Sequence, residues 1–206
     1  MFESGVERDP PSVNLKRRAF LVTSASAVAG LAVWSLRKPR LAEATASTES
    51  KETAEAVTIV LFSDTGQRLK TVQVPKVTKS ENEWSKQLRA GEFDITRHAG
   101  TEIAYTGKYW NLHDRGLYRC ICCDNALFSS EAKFDSGTGW PSFYSPIAPE
   151  NVRSTRDVSL GMVRTAVSCT ECDAHLGHVF DDGPEPTHLR YCMNSASLRF
   201  VARKSA

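Results

Sequence analysis

The sequence predicts a mainly β, α+β domain, in which antiparallel sheets form a compact barrel-like arrangement with short helices at its start. After Thr101 the chain becomes a series of short apolar or alternating runs, such as GLYRC, NALF and GMVRTAV, broken by Gly, Pro, Asn and Asp. That pattern is typical of antiparallel strands joined by tight turns. Helix signals occur earlier, between residues 80 and 100. Two C-x-x-C pairs within the β-rich part indicate a metal-braced fold.

Length and charge narrow the class of protein. The 206 residues, 41% of them hydrophobic, suit one domain with appendages. Lysine and arginine (26) nearly balance aspartate and glutamate (24), which gives a net charge of +2. Since a protein that neutralises phosphates needs a concentrated basic surface, this balance argues against a nucleic-acid partner.

Residues 1–46 have the three-part order of an export signal. Basic residues at 16–18 precede an uncharged run over 19–36, and basic residues return at 37–40. Paired arginines followed by Ala-Phe-Leu resemble the bacterial twin-arginine signal, and Ala44 and Ala46 could flank a cleavage site. An uncleaved anchor is the alternative, because the run approaches the thickness of a bilayer, and a terminus that only imitates a signal is a third. The first two place the folded part outside the cytoplasm, in a bacterial periplasm, with a membrane contact only through an uncleaved leader.

Two short segments separate this leader from the main domain. Residues 47–55 are small, polar and charged, and predict a linker. The runs AVTIVLFSD and RLKTVQVPK then predict a β-hairpin extension over 56–76, with Gly66 supplying the positive φ of its turn. We assign the hairpin no chemistry and expect the main domain over 79–203.

Two short helices are predicted at the start of that domain. Ser80 with Glu83 three residues later forms a capping-box signal, and Gly91 is a natural stop. A second helix would follow and end at Gly100.

The paired cysteines predict a metal site. Cys120 and Cys123 are separated by 45 residues from Cys169 and Cys172, and each pair has the spacing that lets two thiolates reach one ion. Four thiolates leave Zn²⁺ no open position, so we expect one structural zinc per chain. Two disulfides are the alternative in an exported protein. Cys122 could replace its neighbour Cys123, although the spacing favours Cys123.

The sixth cysteine, Cys192 in RYCMNSASLRF, has no partner in a C-x-x-C pair. Strand alternation would put Arg190, Cys192 and Asn194 on one face. A nearby cation favours the thiolate, which is the nucleophilic form, so Cys192 is a candidate nucleophile. A small buried hydrophobe is the alternative.

Two more motifs supply groups suited to a Cys-His site. GWPSF presents Trp140 on a glycine-rich turn, and HLGH presents His175 and His178 just after the second cysteine pair. A regular strand would point these imidazoles to opposite faces, but a bulge at Gly177 could bring both to one side.

The motifs GWPSF, CDAHLGHVFDDGP and RYCMNSASLRF, in this order and with the two C-x-x-C pairs, resemble the methionine-R-sulfoxide reductase family, the B-type enzymes. The resemblance extends from about Thr78 to Val201. It implies a compact antiparallel fold with helices at the start, a structural zinc on the paired cysteines, and repair of the R epimer of methionine sulfoxide in oxidised peptides and proteins.

The resemblance also implies roles for the catalytic residues. Cys192 is expected to attack the sulfoxide sulfur and to be left as a sulfenic acid. His178, His175 and Asn194 are expected to bind the sulfoxide oxygen and to assist its protonation.

The same resemblance implies a set of substrate-binding residues. Trp140 is expected to form the apolar wall for the substrate methyl group, with Phe143 in the same motif. Asp182 and Arg190 are expected to hold the site and its charges in place.

One position departs from the family pattern. Many relatives carry a resolving cysteine in the loop before GWPSF, and here DSGTGW places Thr138 there. We therefore expect an external thiol, from a thioredoxin-like or glutaredoxin-like protein, to reduce the sulfenic acid. Cys122 is the alternative partner, but only if it is not a zinc ligand.

Two other classes of function remain open at this point. A zinc-ribbon binding module would need no nucleophile, and the near-neutral charge and the Cys192 strand count against it. Another thiol redox enzyme, such as a peroxidase or a disulfide reductase, would use Cys192 on a different substrate.

Overall fold

The computed structural model describes residues 55–203, and in this part the chain forms two helices and eleven strands. The helices are α1 (Glu81–Gln87) and α2 (Ala90–Arg97). The strands are β1 (Ala56–Phe62), β2 (Arg68–Pro75), β3 (Gly116–Cys120), β4 (Ala126–Ser129), β5 (Lys133–Phe134), β6 (Ser142–Phe143), β7 (Val152–Asp157), β8 (Arg164–Cys169), β9 (His175–Phe180), β10 (Arg190–Met193) and β11 (Leu198–Ala202). The predicted leader and nearly all of the predicted linker lie outside the described residues. Neither helix is long and apolar enough to span a bilayer.

The strands form three antiparallel sheets. β1 pairs with β2, the order β11-β3-β4 makes a second sheet, and the order β5-β6-β10-β9-β8-β7 makes the third. The mainly β prediction with helices at the start is confirmed. The barrel-like arrangement is wrong, because β5 and β7 are the edges of an open six-stranded sheet. β5 and β6 have only two residues each, so the sheet is too short at this edge to close onto β7.

The two helices follow one another closely because each has its own N-cap. The Ser80 backbone N–H donates to Glu83 Oε2 at 2.8 Å, so the predicted capping box is present. Gly91 is not the stop that we predicted, since it lies inside α2. The chain leaves helical geometry at Leu88, and the Arg89 N–H donates to the carboxylate of Glu92 at 3.0 Å, which starts the second helix.

The main core lies between the six-stranded and the three-stranded sheets. Phe143 of β6 stacks on Phe128 of β4, with ring centroids 4.5 Å apart, and meets Tyr118 of β3 edge-on at 4.9 Å. All three side chains are fully buried. Aromatic pairs of this kind add to the stability that burial alone gives, so the two sheets are firmly held against each other.

A buried amide ties the β1–β2 hairpin to the core. Asn151 Oδ1 accepts the Val60 N–H at 2.7 Å, and Asn151 Nδ2 donates to the carbonyls of Val60 (2.8 Å) and Ala126 (2.7 Å). Gly66 has the predicted positive φ, +82°, in the hairpin turn. The hairpin is therefore an integrated layer of the described fold.

Candidate active site and metal centre

Four cysteine sulfurs converge where two turns meet. Cys120 ends β3 and Cys123 lies in the turn after it, while Cys169 ends β8 and Cys172 lies in the turn after that strand. The four Sγ atoms are all within 4.8 Å of one another. The pairs Cys120–Cys172 and Cys123–Cys169 are each separated by 3.6 Å. Zn–S bonds of about 2.3 Å in a tetrahedron put sulfurs about 3.8 Å apart, so the cluster has the size of a four-thiolate metal site.

The two turns repeat one geometry. The Asp124 N–H donates to the Cys120 carbonyl and the Asp173 N–H to the Cys169 carbonyl, both at 3.0 Å. Asp124 and Asp173 both have positive φ, +69° and +57°, which aspartate tolerates better than most residues. Because β3 and β8 belong to different sheets, the cluster joins the two main sheets.

Cys122 lies in the first turn but outside this cluster. It is buried, with 6% of its surface exposed, and the four converging sulfurs are those that the spacing predicted. All six cysteines are free of disulfides. This arrangement favours the metal site over the two-disulfide alternative.

Cys192 lies in a row of side chains that crosses the six-stranded sheet. Its Cα pairs with Ser142 of β6 on one side and with His178 of β9 on the other. Directly opposite residues of antiparallel strands point to the same face, so the hydroxyl, the thiol and the imidazole are neighbours. This places a candidate nucleophile beside a candidate proton donor.

A bulge in β9 brings the second imidazole to this face. The register with β8 shifts between Val167 and Ser168, so that Gly177 and His175 are consecutive partners. A Cβ on Gly177 would collide with the Cys192 carbonyl oxygen, so only glycine permits this approach of the strands. The rings of His175 and His178 are 5.3 Å apart, as the predicted bulge requires.

Asp157 and Arg164 support His178, and sequence reasoning gave neither residue a role in the site. Asp157 Oδ2 lies 2.8 Å from His178 Nε2 and 2.8 Å from an Arg164 guanidinium nitrogen. The Ser159 backbone N–H and hydroxyl, and then His178, hold the pKa of Asp157 well below its usual range. An ionised carboxylate only accepts hydrogen bonds, so His178 Nε2 carries a proton and Nδ1 remains for exchange.

His175 is held in its neutral form. It is 9% exposed, and its Nε2 has no hydrogen-bond partner among the described residues. Burial, and then the neighbouring charge of His178, lower the pKa of His175 to about 4. Asp157 opposes this shift and Arg164 adds to it. At neutral pH His175 is therefore an uncharged imidazole.

This lowered pKa predicts an acid-sensitive stability. Between pH 6.5 and 4 the unfolded chain binds a proton at residue 175 that the folded chain does not, so stability falls as pH falls. A pKa lowered from 6.5 to about 4 corresponds to a loss of up to about 3 kcal/mol across that range. We expect His175→Gln to show a shallower loss than wild type in urea denaturation at pH 7 and pH 4.5. His113→Gln, at an exposed position, is the control, and equal losses in wild type and His175→Gln would contradict the prediction.

The Cys192 thiol is not preformed as a thiolate. Burial raises its pKa, while Thr138, Arg190 and Ser142 act in the opposite direction. Arg190 therefore lowers the pKa of the Cys192 thiol, as expected, but burial raises that pKa by more. The resting site carries a protonated sulfur.

Arg190 and Asp182 form the fixed ion pair expected beside the site. The guanidinium donates two hydrogen bonds of 2.8 Å to the Asp182 carboxylate. It also lies over the ring of Phe180, 4.4 Å from the centroid. A guanidinium held on two sides keeps a positive charge at a fixed place on the Cys192 strand.

Asn194 does not lie on the strand face that alternation predicted, because β10 ends at Met193 and Asn194 begins a 3₁₀ turn. Its Nδ2 donates to the Leu176 carbonyl at 3.1 Å, and its Oδ1 accepts the Glu102 N–H at 3.0 Å. The residue is 3% exposed. The oxygen and one N–H of its side-chain amide are therefore hydrogen-bonded to backbone groups, and the second amide N–H remains.

Trp140 is half-buried, and its indole N–H donates to the Glu102 carbonyl at 3.1 Å. The side chain of Phe143, predicted to bind substrate, is fully buried in the aromatic core, where it stacks on Phe128. Ser142 faces the site, and alternation turns its neighbour Phe143 to the opposite face of the sheet.

Thr138 lies next to the Cys192 sulfur. Its Oγ1 is 3.9 Å from Cys192 Sγ and 2.8 Å from the hydroxyl of Ser136. Ser136 in turn lies 2.7 Å from the hydroxyl of Ser142. A chain of hydroxyl groups, with no thiol in it, therefore borders Cys192.

Comparisons with known proteins agree with this geometry. The family model described as SelR domain matches residues 88–202, more than half of the chain. A peptide methionine sulfoxide reductase MsrB of Herminiimonas arsenicoxydans is 57% identical over 127 residues, which cover 62% of this chain and 93% of that protein. The protein of the same name from Synechococcus sp. (strain RCC307) is 58% identical over 131 residues, covering 64% of this chain and 96% of that protein. The chain belongs to the SelR domain family, the methionine-R-sulfoxide reductases that its motifs resemble.

Proposed function

We propose that the protein reduces the R epimer of methionine sulfoxide, in peptides and proteins, to methionine. One observation carries this function: Cys192 shares a sheet face with His178 and His175, in a chain whose family and relatives carry that activity. The alternatives have less support. A binding module has no use for a cysteine beside two imidazoles, and the relatives are named for sulfoxide reduction and not for removal of peroxide.

The reaction transfers one oxygen atom and two electrons. Cys192 sulfur forms a bond to the sulfoxide sulfur as the protonated oxygen leaves as water. Water then adds to the Cys192 sulfur, the sulfur–sulfur bond breaks, and the thioether is released with a proton. The net change is Cys–SH plus sulfoxide to Cys–SOH plus thioether. The sulfenic acid is the first step of thiol oxidation. Because burial keeps the Cys192 thiol protonated at rest, its proton must leave as the sulfur attacks, and the Cys–SOH product regains one.

His178 is the proposed proton donor. The oxygen of a sulfoxide becomes more basic as its sulfur is attacked, so a donor close to it acts as a general acid, an effect of about 10² to 10⁴-fold. The Asp157 carboxylate holds His178 Nε2, which leaves Nδ1 to exchange a proton with the substrate. Neutral His175 adds a further polar group without a competing charge.

The selection of one sulfoxide epimer follows from an apolar and a polar side of the proposed pocket. The sulfoxide is polar at oxygen and apolar at its methyl group, so the pocket must offer an aromatic face on one side only. Trp140 would supply that face and the imidazoles the polar side. The two epimers exchange the positions of the oxygen and the methyl group at sulfur, so only one epimer fits this pocket.

The four-cysteine cluster is assigned to Zn²⁺. Soft thiolates in a closed tetrahedral set select zinc, and the absence of an open ligand position makes the ion structural. Cys120, Cys123, Cys169 and Cys172 would hold it. Bound there, the ion supplies folding energy and takes no part in the chemistry at Cys192.

The test is turnover of separated epimers by purified protein with dithiothreitol as reductant. We expect methionine from the R epimer and none from the S epimer. Production of methionine from S, or from neither epimer, would refute the function. Removal of hydrogen peroxide at a higher rate than sulfoxide would favour a thiol peroxidase instead.

An external thiol is proposed to complete the cycle, from a thioredoxin-like or glutaredoxin-like protein. After one turnover without reductant, mass spectrometry is expected to find Cys192 as a sulfenic acid, trappable with dimedone. The support is Thr138, which presents a hydroxyl and not a thiol 3.9 Å from Sγ. An intramolecular disulfide from Cys192, to Cys122 or any other residue, would contradict this.

Thr138→Cys is the matched gain-of-function variant. A sulfur in place of Oγ1 needs to move by only about 2 Å to reach the disulfide bond length of about 2.05 Å. We expect the introduced thiol of this variant to form a disulfide with Cys192 after one turnover, while Ser136→Cys, one hydroxyl further away, forms less.

Export is proposed from the leader, with the folded part in a periplasm. Its support is the sequence of residues 1–46, with basic residues at 16–18 ahead of an uncharged run. N-terminal sequencing of protein from a bacterial periplasm should begin near residue 47. A start at Met1 would refute cleavage and leave the anchor.

A further inference from the structure

Glu102, in the segment between α2 and β3, contacts three parts of the proposed site at once. Its carboxylate oxygens accept the backbone N–H groups of Ser195 (2.6 Å) and Ala196 (3.1 Å). Its own N–H donates to Asn194 Oδ1 at 3.0 Å, and its carbonyl accepts the Trp140 indole N–H at 3.1 Å. One residue therefore links the chain that follows Cys192 to the predicted wall of the substrate site.

The carboxylate replaces a missing cap. Ser195 and Ala196 begin the 3₁₀ turn after β10, and the N-cap residue, Asn194, makes no side-chain capping bond. The exposed N–H groups of such a turn need an acceptor, and hydrogen bonds to an ionised carboxylate are stronger than neutral ones. Glu102 supplies both acceptors from a distant part of the sequence.

The fit around Glu102 is close. A Cβ on Gly107 would collide with the Glu102 carboxylate and with the Ser195 side chain. The Tyr109 N–H donates to Ser195 Oγ at 3.1 Å. In the described part of the chain Glu102 forms no ion pair, so its charge is directed at the turn and not at a surface cation.

We propose that Glu102 is a positioning residue, which fixes the indole of Trp140 relative to the sulfur of Cys192 and so sets the affinity for the methyl group of the sulfoxide. This inference rests on the proposed function. Loss of the carboxylate would let the segment move away from the turn and carry the indole with it. We expect this loss to weaken substrate binding more than it slows the chemical step.

The experiment measures kcat and KM for the R epimer in the full chain. Glu102→Gln keeps the size of the side chain but presents an amide N–H to a backbone N–H, so one of the two bonds is lost. We expect KM to rise about tenfold with kcat changed less than about twofold, as expected for the loss of part of one charged hydrogen bond. Glu131→Gln, an exposed carboxylate in ion pairs with Arg115 and Arg203, is the matched control and should leave both constants unchanged.

Trp140→Phe provides a second and independent readout. It keeps an aromatic wall and removes the indole N–H, so Glu102→Gln should have a smaller effect on KM in this background than in wild type. If Glu102→Gln fails to fold, Trp140→Phe alone should still raise KM severalfold. A loss confined to kcat, or equal losses in both backgrounds, would show a merely structural role and overturn the inference. If the wild type turns over the R epimer and the variants have the same constants, this inference fails and the proposed function stands. If the wild type does not turn over the R epimer, the proposed function fails as well.

Discussion

Cys192→Ser is expected to abolish methionine formation while the fold and the metal site persist. A serine oxygen is a poor nucleophile, and it would have to become a peroxide to accept the sulfoxide oxygen. The expected loss in kcat is at least about 10⁴-fold, the scale seen when a catalytic nucleophile is removed. The measurement is methionine released from the R epimer, together with metal content and circular dichroism.

Cys122→Ser is the matched control, because that thiol is buried but lies outside both the metal cluster and the Cys192 row. It should keep most of the activity. If Cys192→Ser retained activity within about tenfold of wild type, the nucleophile would have to be another residue.

Cys169→Ser is expected to cost the protein its folded state. The residue is completely buried, and it is one of four sulfurs that join two sheets. Structural zinc contributes about 10–16 kcal/mol to the folding of small zinc-finger peptides, which matches or exceeds the total stability of an ordinary domain, about 5–15 kcal/mol. The variant should contain less than one metal ion per chain and should melt far below wild type.

The corresponding chelation experiment uses wild-type protein. Removal of the ion with a strong chelator should lower the melting temperature and expose four thiols to a thiol reagent. Cys122→Ser should keep one zinc per chain. A metal-free Cys169→Ser variant that melts like wild type would show that the cluster is not structural.

The local parts of the fold were predictable because each has a local cause. The capping box at Ser80 and the turn at Gly66 are determined by residues only a few positions apart. Likewise, the C-x-x-C spacing selects Cys123 over Cys122. The stop at Gly91 failed because a second cap at Arg89 restarts the helix, and glycine tolerates helical geometry when its neighbours favour it.

The support around the nucleophile could not be predicted in the same way. Asp157 of β7 meets His178 of β9 across the intervening strand β8, and Glu102 meets residues 195 and 196 from more than ninety positions away. These contacts depend on the register of strand pairs, which no local pattern specifies. For Cys192 the sequence indicated the neighbouring Arg190 but not the depth of burial, which reverses the net shift of the pKa of its thiol.

The buried amide of Asn151 has a consequence for where the folded unit begins. Val60 lies well outside residues 88–202, which the family model covers, yet two of the three bonds of that amide go to its backbone. A chain shortened to the family match would lose β1 and with it two of the three hydrogen bonds of this amide, each worth about 0.5–1.5 kcal/mol net. The stable folded unit is therefore expected to begin before residue 88, where the family match starts.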